Sequence, residues 1–195
     1  MKKHRRAKWL GLDVVVKKFD RRSLNSSDQA VKNFIKEVTI MHSLRHPNIA
    51  LFMGLSIDAE KLHAYTVSEW IKGGSLFKYL HAGSLPAEAT GTRILTEHQA
   101  FFFARQIANA VFYLHNHGIQ HGDLSSQNVL ICEDWKIKLC NFALSNKEKE
   151  ETVVDKKDNH KKLYWMAPET VRGESGGKPA DVYSFGVLIW EMLTG

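Results

Sequence analysis

The sequence has little cysteine, no long apolar run and no low-complexity tract, and each absence closes off a class of protein. Two cysteines, Cys132 and Cys140, cannot build a disulfide framework or a cysteine metal cluster. No run of about 18 apolar residues occurs, so no membrane span is expected. The basic opening, MKKHRRAKWL, lacks the apolar core and small-residue cleavage site of a secretory leader. The expected setting is reducing and cytoplasmic.

What is present fits a globular chain. With 195 residues, 44% hydrophobic and 25% charged, it has enough material for one sizeable domain or two small lobes. The net charge is +6, concentrated at residues 2–8 and 156–162. Neither cluster is interleaved with aromatics that would stack bases, so these read as solvated faces and no nucleic-acid partner is expected.

Along the chain, WLGLDVVVKKF (residues 9–19) reads as a hairpin strand after a glycine turn. Val31, Phe34, Ile35, Val38 and Met41 recur at helical spacing over 28–44, with Asp28 or the preceding serines as cap, and Pro47 ends that helix. IALFMGLSI and LHAYTVSEW follow as two strands, so the first 70 residues read strand, helix, strand, strand. A Gly-Gly break at 73–74 marks a hinge into a helical part, and clefts between lobes favour ligands. There Thr96 and Gln99 form a capping-box pattern opening a helix whose face carries Ala104, Ile107, Ala108, Val111 and Leu114. A short β-rich region spans 129–139, a polar segment 144–162, and the nearly all-apolar DVYSFGVLIWEML predicts a helix buried on most sides.

Short motifs fall in a telling order. VVVK ends at Lys17, Glu37 sits mid-helix, HGDLSSQN runs from His121 to Asn128, NFA spans 141–143, APE 167–169 and DVYSFG 181–186. This order and spacing resemble the eukaryotic protein kinase family, and WLGLDVVVKKF, HPNIALFMG and YWMAPE resemble its tyrosine-kinase-like (Ser/Thr) group. The resemblance implies an α+β, bilobal fold. A small β-rich lobe over 1–72 would lack its first strand and Gly-rich loop, and a mainly helical lobe over 73–195 would stop after the buried helix 181–193. It also implies ATP and Mg2+ as cofactors and a protein substrate or regulatory protein as partner.

Roles carry over residue by residue. Lys17 matches the lysine that holds the α- and β-phosphates, and Glu37 the glutamate that pairs with it. Asp123 matches the catalytic aspartate, Asn128 a magnesium ligand, and Asn141 the position of the metal-binding aspartate. Ser68, Glu69, Trp70 and Ile71 match the gatekeeper and hinge, Val15 the roof of the adenine pocket, and Leu130 its floor. Asp181 matches the aspartate that anchors the catalytic loop through backbone N–H groups. Phe52, Met41, Phe142 and His121 match a hydrophobic spine. Read singly, Lys17 is a surface lysine, Glu37 a helix-face glutamate and Asp123 a turn residue; the shared order gives them weight.

Departures cluster where phosphate would sit. Asn141 replaces aspartate, so a hard cation loses one anionic ligand. The first two glycines of the phosphate loop would fall before Met1, and Lys2 stands in place of the last. Val15 replaces alanine, and His4 stands where a valine would cover the base. Ser125 replaces a lysine, Lys162 a threonine, Gly122 an arginine and Ala143 a glycine. Glu169 is expected to want an arginine from a later helix, leaving apolar faces near 182–193 uncovered. The expectation is a kinase-like domain with strongly impaired catalysis that acts as a regulatory or scaffolding module; the alternative is an active Ser/Thr kinase.

Overall fold

The computed structural model describes residues 4–19, 38–58, 63–81, 95–141 and 163–195. The chain divides into two compact units, Met1–Ile71 and Lys72–Gly195.

The first unit is built on a four-stranded antiparallel sheet. β1 (His4–Trp9), β2 (Leu12–Phe19), β3 (Phe52–Asp58) and β4 (His63–Glu69) lie in the order β1-β2-β4-β3. β1 and β2 form a tight hairpin, with Trp9 opposite Leu12 and Leu10-Gly11 as the turn. Both turn residues have positive φ, 50° and 81°, the type I′ pattern whose twist matches the flanking strands. β1 is a correction to the sequence reading, which began the strand region at residue 9. Its six residues, HRRAKW, are exposed except for half-buried Ala7, so no buried face imprints an alternating pattern. Val14, Ala64, Thr66 and Phe52 are buried, and β3 carries a register shift between Phe52 and Gly54. Residues 38–43 are helical; the rest of the helix expected over 28–44 falls outside the described residues.

The second unit is mainly helical. It holds α1 (Leu76–His81), α2 (Glu97–Asn116), the hairpin of β5 (Val129–Ile131) and β6 (Ile137–Leu139), α3 (Pro168–Val171) and α4 (Gly177–Thr194). Thr96 caps α2 in a full capping box with Gln99. The buried face of α2 is rotated from the one expected. Phe103, Gln106, Ile107, Ala110, Val111 and Leu114 are buried, while Ala104 and Ala108 are half-buried. Gln106 is inside because its amide oxygen accepts from the Ile137 N–H at 3.1 Å, tying β6 to α2.

α4 is not buried on most sides as its composition predicts, and the apolar face near 182–193 is uncovered, as expected from the sequence. It buries Asp181, Ser184 and Glu191 with Leu188 and Met192, while Val182, Tyr183, Leu193 and Trp190 (66%) are exposed. Its polar side chains lie inside because each has partners there. Ser184 Oγ donates to the Trp165 carbonyl at 2.6 Å, and Asp181 and Glu191 organise the loops described next.

Candidate functional site

The segment from His121 to Asn128 is shaped by two buried carboxylates of α4. Asp181 accepts from the His121 N–H at 2.7 Å, the Gly122 N–H at 2.9 Å and His115 Nε2 at 2.8 Å. Gly122 sits at φ 70°, where a residue without Cβ turns the loop freely and leaves its N–H aimed at Asp181. Burial pushes the fully buried His121 imidazole below its ordinary pKa, opposed by the charges of Asp181 and Asp123.

Glu191 is the second anchor, and sequence reasoning did not single it out. Its carboxylate accepts from Trp165 Nε1 at 2.8 Å and Ser126 Oγ at 2.7 Å, and pairs with His81 Nε2 at 2.8 Å. One residue therefore joins α1, the segment 121–128, the turn at 163–165 and α4. The signal was the lone glutamate in LIWEML: a charge in an apolar helix is buried only with partners.

Asp123, Asn128 and Asn141 are brought together. Asn128 Nδ2 donates to the Asp123 carbonyl at 2.7 Å, fixing the amide so that Oδ1 points the other way. That oxygen accepts from Asn141 Nδ2 at 3.0 Å. Backbone bonds hold Asn128 at both its polar groups: its N–H donates to the Ser125 carbonyl at 2.9 Å, and its carbonyl accepts from the N–H of Cys140, the neighbour of Asn141, at 3.0 Å. Asn141 adopts φ 58°, a left-handed conformation that Asn and Asp tolerate better than most residues. Ser125 is buried beside them.

This donor set does not fit magnesium. A hard dication wants anionic oxygens converging on it. Here Asn141 turns an N–H toward the oxygen that a shared cation would need, and both side chains are neutral. Among the described residues, no group of three His, Cys, Asp or Glu side chains is placed to hold a metal.

In the first unit, strand register sets the remaining residues. Lys17 lies opposite His4 and Thr66, and Val15 opposite Arg6 and Ser68, so Val15 and Lys17 share one face of the sheet. Arg6 on that face pairs with Asp13 at 2.9 Å and lies over the Trp70 ring at 5.1 Å. The side chain of Glu69 accepts from the Leu51 N–H at 2.7 Å, and Ile71 is buried. In the second unit Leu130 is half-buried at the centre of β5, opposite Lys138. Phe52 and His121 are buried and Met41 is half-buried. Glu37, Phe142, Ala143 and Lys162 lie outside the described residues.

Comparison with known proteins agrees with this arrangement. The family described as "Protein tyrosine and serine/threonine kinase" matches residues 3–195. The chain is 38% identical over 191 residues to "Serine/threonine-protein kinase CTR1" of Arabidopsis thaliana, covering 97% of this chain and 22% of that protein. It is 38% identical to "Probable serine/threonine-protein kinase SIS8" of the same plant, with 97% and 17% covered. A Dictyostelium discoideum protein, "Probable serine/threonine-protein kinase drkA", is 33% identical, with 95% and 27% covered. The chain thus spans about a quarter or less of the length of these relatives.

Proposed function

The chain belongs to the protein kinase family, in its tyrosine-kinase-like Ser/Thr group, and we propose that it works as a regulatory or scaffolding module whose phosphotransfer is strongly impaired. The observation that carries this reading is the hydrogen bond from Asn141 Nδ2 to Asn128 Oδ1. Family members in general use ATP with Mg2+ and act on proteins. An aspartate at 141 would set two oxygens against each other, a repulsion that a cation between them relieves. Asparagine supplies an N–H instead, and the amide pair satisfies itself without a cation. Charge stabilisation is the chief source of rate in phosphoryl transfer, so the loss falls on catalysis rather than on the fold.

In this reading Asp123 keeps the place of the catalytic aspartate, and Lys17, with Glu37, that of the phosphate-holding lysine. Val15, Ser68, Glu69 and Ile71 keep the places of adenine-contacting residues in the first unit and Leu130 that of one in the second, and Asn128 and Asn141 make a blunted metal turn. The partner is a protein, in the cytoplasm; no described helix is long and apolar enough to cross a membrane.

A second reading, a slow but active Ser/Thr kinase, draws on the intact Asp181 frame around the catalytic loop. Labelled γ-phosphate transfer from Mg-ATP to a generic protein substrate separates the two. The regulatory reading expects no transfer above the Asp123→Ala background. Transfer that disappears in Asp123→Ala would establish the kinase reading instead.

A further inference from the structure

The hairpin of β1 and β2 carries a feature that phosphate chemistry does not use. Its tip reads Trp9-Leu10-Gly11-Leu12, and the three large side chains are 45%, 84% and 56% exposed. Leu10 occupies the first central position of a type I′ turn at φ 50°. Asparagine, aspartate and glycine suit that position, and a leucine there is unfavourable both in backbone and in hydration. The stem is strongly basic: it carries Arg5, Lys8 and Lys18 besides Arg6, which pairs with Asp13. Arg5, Lys8 and Lys18 are exposed.

We propose that this hairpin docks on an anionic phospholipid surface, with Trp9, Leu10 and Leu12 entering the interface and Arg5 and Lys8 held by the headgroups. Charge complementarity and shape select this occupant. Membrane attachment sums buried apolar area and attraction between basic residues and acidic lipid, and tryptophan favours the interfacial layer. A convex tip of three side chains offers far less than the roughly 800 Å2 per partner of a stable protein interface. Nucleic acid suits it poorly, since one indole and two leucines make no stacking platform.

The test is flotation of the whole chain with vesicles through a dense cushion, where lipid-free aggregates stay below. The chain floats with phosphatidylcholine vesicles containing about 30% phosphatidylserine and not with phosphatidylcholine alone, and salt weakens the binding. Leu10→Asn with Leu12→Ser lowers binding at least about tenfold. Arg5→Glu and Lys8→Glu each lower it by about fivefold or more, the equivalent of roughly 1 kcal/mol per basic residue. Leu10→Asn alone raises the thermal midpoint while it lowers binding, which a folding defect cannot do. Failure of the folded chain to float with acidic vesicles, equal flotation with neutral ones, or indifference to the tip substitutions would overturn the proposal. So would lipid-free crosslinking of two copies that Leu10→Asn abolishes, because the tip would then belong to a protein interface. None of these readouts depends on phosphotransfer, so each stands or falls apart from the catalytic reading.

Discussion

The segment 121–128 and the turn at Asn141 are neighbours, yet different things hold them. From His121 to Asn128 the loop is held by buried carboxylates: Asp181 gathers three donors, and Glu191 ties in Ser126, Trp165 and His81. At Asn128 and Asn141 the scaffold is just as orderly, but the partner of one amide is another amide. The contrast separates order from charge. The frame needs paired charges to stay folded, whereas the turn folds well without the charge that a cation requires.

Breaking the frame is expected to cost most. Asp181→Ala leaves the buried His121 N–H, the Gly122 N–H and His115 without their acceptor, and should destabilise the chain by about 3–5 kcal/mol, read as a lower denaturant midpoint. Glu191→Leu strips acceptors from Trp165, Ser126 and His81 and should cost about 2–3 kcal/mol by the same measurement, with His81 partly rescued by solvent. Gln at 191 keeps an oxygen acceptor and should cost less, which distinguishes lost hydrogen bonds from lost packing.

A pH series sharpens the comparison from inside the frame. His121 is held below its ordinary pKa by burial, so the folded state favours the neutral ring and the unfolded state binds the proton more readily. Its contribution is therefore present above the unfolded value of about 6.5 and is lost as pH falls below it. The thermal midpoint should drop between about pH 7 and about pH 5, more steeply than in a variant with asparagine at 121. The smallest effect is at the hairpin tip, where Leu10→Asn should stabilise by about 0.5–1 kcal/mol by relieving a left-handed leucine. The exposed apolar face of α4 bears on how these measurements are made. Replacing Trp190 with lysine should reduce self-association, measured by light scattering, whereas a monodisperse monomer with a sharp thermal transition before any substitution would contradict the expectation of an uncovered face.

Much of this arrangement was legible in the sequence because several local signals agreed. β3, β4, the capped start of α2 and the β5–β6 hairpin each follow from strand composition, a capping box or paired apolar positions. β1 was not legible, since a strand with no buried face leaves no alternation to read. The face of α2 was misjudged because alanines fit either side of a helix boundary, and only the tertiary partner of Gln106 decides it. α4 was legible in part: its uncovered apolar face near 182–193 was expected, but burial on most sides was not met, because the interior is claimed by Asp181 and Glu191, whose partners lie about 26 to 110 residues away in sequence. At the site, Asn141 was recognisable by its position after β6. The hydrogen bond it makes was not, because amide orientation depends on the Asp123 carbonyl on the far side of Asn128.

The measurement that bears most directly on the account is a magnesium titration of thermal stability, with and without ATP, in the unaltered chain and in Asn141→Asp. Both residues suit the left-handed backbone at 141, so the change is one of charge and polarity. The account predicts that the unaltered chain is indifferent to magnesium. Asn141→Asp should be less stable than it by about 1–3 kcal/mol without metal, be restored by millimolar magnesium, and gain phosphotransfer of at least about 100-fold. Magnesium-dependent stabilisation of the unaltered chain equal to that of Asn141→Asp would contradict the claim that an amide pair has taken the place of the cation.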